Sequence, residues 1–134
     1  MSALTADRNT PFKDGESLAV PVAANAVIFA GALVVANASG FAAPGSTATT
    51  LTYLGRAESA VNNTGGANGD KALVVRREKA FKWANLAGDP VVQADLGKTC
   101  YIVDDQTVAK TSATDTRSIA GKVVQVDADG VWVE

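Results

Sequence analysis

The sequence contains no histidine and only one cysteine, Cys100. Histidine is the most frequent general base and metal ligand in proteins, so its absence removes the usual catalytic dyads and zinc sites. One cysteine excludes an intrachain disulfide. Cys100 lies in an apolar run, and no histidine is available to lower its pKa, so we expect a small buried residue rather than a nucleophile. These absences predict a protein that is not an enzyme and that holds no metal or cofactor.

Aromatic residues are also scarce, at 6% of the 134 residues, although 47% of the chain is apolar. Much of that apolar content is small, with 25 alanines and 17 valines. The length fits one domain, and we expect a core that is either thin or completed by neighbouring subunits.

Charge is scarce as well, with a net charge of −2 and no charged residue from position 17 to position 55. An acidic balance argues against a nucleic-acid partner, which calls for a basic surplus on one face. The uncharged stretch is interrupted by Pro21, Asn25 and Gly31, which disfavours a membrane span. The charged residues among the first sixteen disfavour a signal peptide. We therefore expect neither a nucleic acid nor a membrane as partner.

Short apolar runs separated by turn residues recur about every ten positions after residue 16. We expect strands at residues 18–22, 26–36, 41–43, 51–61, 71–77, 80–84, 99–103, 107–110, 119–126 and 131–133. A short helical turn is expected at residues 91–97. Val124, Val126, Val131 and Val133 flank an Asp-Gly hairpin turn at residues 127–130 with period-two spacing, which predicts one buried face on each strand. The pattern predicts an all-β fold, a small β-barrel or β-sandwich spanning residues 17–134.

Three further features have a structural interpretation beside a functional one. The aspartate pairs at 104–105 and 127/129 could bind calcium or serve acid–base chemistry, but both occupy positions where aspartate commonly builds turns. The glycine-rich stretch at residues 62–69 lacks the lysine and helix of a phosphate-binding loop, so we interpret it as an exposed loop.

Basic residues cluster at Arg76, Arg77, Lys79 and Lys82, beside Phe81 and Trp83. If a single strand continued through them, Arg77 and Lys79 would share a face with the two aromatic residues. Three interpretations are open: a subunit interface facing acidic residues, a solvated face, or a surface that binds single-stranded nucleic acid by stacking and charge. We favour the subunit interface.

Residues 1–16 are polar, contain Pro11 and Gly15, and show neither helical nor alternating periodicity. They predict an extended N-terminal arm in which Leu4 and Phe12 are the apolar anchors for a partner.

The chain resembles the head decoration proteins, also described as minor capsid or capsid cement proteins, of Mu-like and related long-tailed phages and prophages. The resemblance extends over nearly the whole chain and is carried by the order of ordinary residues rather than by a chemical signature. The matching strings are LTADRNTP (4–11), VPVAAN (20–25), AGALV (30–34), GRA (55–57), NTGG (63–66), FKWAN (81–85), DLGKTCYIVDD (95–105), AGKVV (120–124) and DADGVWV (127–133).

This resemblance implies a structural virion protein, made in the bacterial host cytoplasm and located on the outer surface of the capsid. It would form a homotrimer at local three-fold positions and hold neighbouring copies of the major capsid protein together. The flexible arm would make the contact, and no catalytic residues are implied. The arm residues expected at the capsid are Leu4, Thr5, Arg8, Thr10, Pro11 and Phe12. Two alternatives remain, a tail or adaptor component of the same virion and a small nucleic-acid-binding barrel.

Overall fold

The computed structural model describes residues 2–134; Met1, the first residue of the predicted arm, lies outside this range. Its strands are β1 (Ser17–Pro21), β2 (Val27–Ile28), β3 (Leu33–Ala36), β4 (Ala42–Pro44), β5 (Thr52–Ala57), β6 (Val61–Asn62), β7 (Ala72–Arg76), β8 (Phe81–Asn85), β9 (Thr99–Ile102), β10 (Thr107–Ala109), β11 (Ile119–Asp127) and β12 (Gly130–Val133). The one helical element among residues 2–134 is a 3₁₀ turn at Gln93–Asp95. The all-β prediction is confirmed.

The first half of the chain forms an antiparallel five-stranded sheet in the order β1-β7-β5-β3-β4. An isolated bridge between Val22, just after β1, and Ala42 on β4 draws the two ends of this sheet toward each other. The short strands β2 and β6 pair separately beside it. The curled sheet therefore surrounds an apolar interior of its own.

The second half closes into a five-stranded barrel in the order β10-β8-β12-β11-β9. Neighbours in the barrel are antiparallel except β8 and β10, which run parallel with Thr107 opposite Ala84. Closure leaves the barrel without a free edge, and edges are the sites at which sheets aggregate.

Strand β3 joins the two halves because both of its faces are buried. Leu33 and Val35 pack in the barrel core with Trp83 and Ile102. Val34, on the opposite face, packs in the core of the first sheet with residues such as Leu73. A strand buried on both sides must be apolar at every position, which accounts for the run Leu33-Val-Val without polar alternation.

One local expectation was wrong, and a second holds except at one residue. Val124 was expected to face inward, yet its side chain is 41% exposed, because a bulge between Val123 and Gln125 shifts the register of β11. The glycine-rich loop is largely exposed, as expected, but Asn63 within it is buried, and its amide donates hydrogen bonds to the carbonyls of Ala23 and Ala67. This asparagine ties the loop to the first sheet.

Candidate functional site

The arm lies free of the folded domain. Residues 2–14 are all exposed and contain no strand or helix. Phe12 is 99% exposed and Leu4 is 74% exposed, so neither apolar side chain is buried within the chain. An exposed apolar side chain contributes no burial free energy to the free protein, so both side chains can be buried against a partner.

The root of the arm is fixed at three points. The side chain of Asp14 accepts a hydrogen bond from the Glu16 amide and turns the chain. The Glu16 carbonyl accepts a bond from the Arg77 amide at 2.7 Å. The Glu16 carboxylate pairs with Lys79 at 3.2 Å. The arm therefore leaves the domain over the turn between β7 and β8.

A groove of about 580 Å³ lies beside this root. Of the predicted basic cluster it contains Arg76, Lys79 and Lys82, while Arg77 lies outside it. The other lining residues are Gly31, Arg56, Glu58, Ala80, Phe81, Trp83 and Trp132. The guanidinium of Arg56 lies 5.1 Å from the ring centroid of Phe81, which is within range for a cation–π contact. Sequence reasoning missed Arg56, Glu58 and Trp132 because strands distant in sequence bring them here.

The basic residues and aromatic residues of this cluster do not lie on one continuous strand. Residues 77–80 form a turn between β7 and β8, with Glu78 at a φ of 59°. Phe81 and Trp83 share a face of β8 that points into the barrel core. Both rings are buried, so they offer no stacking surface to a nucleic acid beside Arg77 and Lys79.

Carboxylates within the chain neutralise most of the positive charge in the groove. Arg56 pairs with Glu58, and Lys79 pairs with Glu16. Lys82 lies 2.7 Å from Asp129, and this hydrogen bond raises the pKa of the lysine. Within residues 2–134, Arg76 and Arg77 form no ion pair. Such compensation weakens the attraction for a polyanion, which depends on uncompensated cations.

The two aspartate pairs serve turns and strands. Asp104 accepts a hydrogen bond from the Gln106 amide, as in an Asx turn. Asp127 accepts bonds from the Gln125 side chain and the Trp132 indole, and these lower the pKa of its carboxyl. Across residues 2–134, no group of three or more metal-ligating side chains is placed to hold an ion.

The most perturbed groups lie in the core. Burial raises the pKa of Cys100 to about 11, so its thiol stays protonated, as expected for a small buried residue. Burial also raises the pKa of Tyr53 to about 12, and its hydroxyl accepts a 3.1 Å hydrogen bond from the Trp83 indole. Cys100 is part of the barrel core, and the partly buried Tyr53 packs against that core.

No helix within residues 2–134 has the length and apolar character needed to cross a membrane. The exposed arm with its fixed root and the groove beside it are the two candidate interaction sites. Comparison with protein-family models, curated proteins and solved structures finds no match to this chain.

Proposed function

We propose that this protein decorates and stabilises a tailed-phage capsid by binding the outer surface of the major capsid protein lattice, as a trimer at local three-fold positions. The observation that carries the proposal is the exposed arm, which is held at its root and presents Leu4 and Phe12 to solvent. The sequence resemblance to head decoration proteins supports the same role.

The physical requirements of a cement protein favour this arrangement. A capsid under pressure from packaged DNA needs additional buried surface across the joints between subunits. An arm that orders on the lattice can supply it by adding a strand to a capsid edge. Ordering a residue costs about 1–2 kcal/mol, so one arm alone binds weakly. Three arms on one trimer gain from effective concentration, which makes binding tight only on an assembled lattice.

The test is sedimentation of capsids assembled without this protein, mixed with full-length protein or with variants. Removal of residues 2–8 should abolish co-sedimentation. Leu4→Ala should weaken it roughly ten- to hundredfold, because burying a leucine contributes about 1.5–3 kcal/mol. The matched control is Leu96→Ala, which removes the same side chain from an exposed position on the domain.

Decoration that is unchanged by removal of residues 2–8 would refute a capsid-binding arm. Electron cryomicroscopy of the decorated particles provides the second readout. Density at local three-fold positions of the shell is the expected result. Density confined to the portal or tail would instead identify a tail or adaptor component.

A further inference from the structure

Strand β1 is the outermost strand of the first sheet and pairs only with β7. At one end of this pairing, the Val22 amide donates to the Lys71 carbonyl at 2.8 Å. At the other end, the Arg77 amide donates to the Glu16 carbonyl. In an antiparallel pair the hydrogen-bonded positions alternate. The even-numbered residues of β1 therefore direct their backbone groups toward β7, and the odd-numbered residues direct theirs away from the sheet.

The outward backbone groups of β1 form a short open row. The row comprises the N–H and C=O groups of Ser17 and Ala19, on the side of β1 that faces no other strand of the sheet. Beyond Ala19 this side is covered by β4, because Val22 bridges Ala42 and the Ala23 amide donates to the Ala42 carbonyl. The row can therefore accept one added strand.

The two ends of the sheet differ in their protection. At the far end, β4 has only three residues, includes Pro44, and is bridged through Ala42 to Val22. These are common devices for closing an edge. The open part of β1, in contrast, carries no charge and no bulge, and its exposed residues are small. An edge of this kind pairs with other strands unless an occupant covers it.

An apolar patch lies beside the open row. Ala19 is exposed and lies directly opposite Val74 on β7, whose side chain is 42% exposed. Pro21 and its partner Ala72 are exposed on the same face. The edge therefore needs an occupant that brings both backbone hydrogen bonds and one large apolar side chain.

The arm has a segment that meets both requirements at residues 10–12. If Thr10 and Phe12 direct their backbone groups toward β1, the backbone of Pro11 faces outward. Proline is tolerated there because no hydrogen bond to β1 requires its N–H. In the same register Phe12 lies on the face of Ala19 and Val74, because directly opposed residues share a face. One placement therefore protects the new edge and covers the apolar patch.

The geometry of the arm's root favours a second copy as the source of this segment. Glu16 continues the β1–β7 pairing through the Arg77 amide and forms an ion pair with Lys79 in the turn after β7. Residues 2–14 are exposed and form no strand, so the arm does not occupy the open row of its own chain. An extended chain spans up to about 3.6 Å per residue, so the four residues from Phe12 to Glu16 bridge about 14 Å to an adjoining copy.

We infer that copies of this chain associate by exchange of arms, residues 10–12 of one copy adding a strand to the β1 edge of the next. This contact is heterologous, and three such contacts close a ring. It assigns Thr10, Pro11 and Phe12 to a neighbouring subunit and leaves Leu4, Thr5 and Arg8 for the capsid. The contact forms in the free protein and does not depend on capsid binding.

Light scattering on the purified full-length protein tests the inference. The wild type should have about three times the 13.7 kDa chain mass. Ala19→Pro removes one outward N–H without touching the bonds to β7 and should shift the protein to monomer, whereas Ala19→Ser should not. Phe12→Ala, in the exposed arm where it cannot unfold the domain, should weaken association at least tenfold. Leu4→Ala should leave the mass unchanged while it lowers capsid decoration.

Cross-linking distinguishes exchange from a fold-back of the arm. Thr10→Cys and Ala19→Cys chains, mixed and oxidised, should form disulfide-linked heterodimers, since Cys100 is buried. A monomeric wild type, an unchanged mass for Ala19→Pro and Phe12→Ala, or cross-linking only within a chain carrying both cysteines would overturn the inference. A monomeric wild type would also contradict the proposed trimer, whereas binding of the arm to the capsid is tested separately by the sedimentation assay.

Discussion

Replacement of Gly55 by alanine should be among the most damaging small changes in this protein. Gly55 lies in β5 opposite Val34 and has a φ of 146°, a conformation that other residues rarely adopt. A Cβ atom at this position would overlap the carbonyl oxygen of Arg76 and lie 3.1 Å from its carbonyl carbon. These are backbone atoms, so β5 and β7 would have to separate.

The expected cost has two parts. Backbone strain of this kind contributes about 1–3 kcal/mol. Overpacking against an unyielding neighbour contributes about 1–3 kcal/mol more. The sum, about 2–6 kcal/mol, is a large fraction of a typical unfolding free energy of about 5–15 kcal/mol. We expect a large fall in the urea midpoint, followed by circular dichroism and by tryptophan fluorescence.

Two other glycines separate these contributions. Gly31 has a φ of 84° with nothing within 4 Å of a Cβ, so Gly31→Ala should show the conformational cost alone, about 1–2 kcal/mol. Gly88 has neither a positive φ nor a close neighbour, so Gly88→Ala should be nearly neutral. If Gly55→Ala were no less stable than Gly31→Ala, the predicted overlap between a Cβ at position 55 and the backbone of β7 would be refuted.

Two predictions concern titratable groups. Hydrogen bonds from Thr111, together with the Arg117 ion pair, lower the pKa of Asp89. The stabilisation from the ionised carboxylate is therefore complete above the ordinary aspartate pKa of about 4, and it is lost as the pH falls through the lowered pKa of the folded protein. In urea titrations the wild type should therefore have a higher free energy of unfolding than Asp89→Asn at pH 7, and this difference should shrink on acidification. A difference in unfolding free energy that does not depend on pH would contradict the prediction. Because burial raises the pKa of Cys100 to about 11, iodoacetamide at pH 8 should label the native protein very slowly and the urea-unfolded protein quickly, as measured by mass spectrometry; rapid labelling of the native state would argue against a buried thiol.

Local sequence signals predicted the strands well. The turn at residues 127–130 is confirmed, with Asp127 opposite Gly130 across a tight hairpin. The helical turn expected at 91–97 corresponds to Gln93–Asp95. The expected strand at 51–61 is divided into β5 and β6 by a bend at Glu58 and Ser59. Turn chemistry and alternation act between neighbours in sequence, so they are readable without the fold.

The pairing of strands that are distant in sequence could not be predicted from the sequence. Nothing in the sequence indicates that β8 and β10 run parallel or that this pair closes the barrel. The same limit applies to the site. Period-two spacing placed Lys79 on the opposite strand face from Arg76 and Lys82, whereas the turn between β7 and β8 brings all three into one groove. The carboxylates that neutralise the two lysines come from the arm root and the last hairpin. The roles of the arm at the capsid and of the basic cluster at a subunit interface stay predictions.

The burial of β3 on both faces has a consequence for the order of events during synthesis. The first sheet leaves the ribosome before residues 81–134 exist, and at that stage Leu33 and Val35 have no barrel to pack against. An apolar strand face exposed in this way promotes aggregation. The nascent N-terminal half should therefore remain incompletely folded or chaperone-bound until β12 has been made, because only then can the barrel close over Leu33 and Val35.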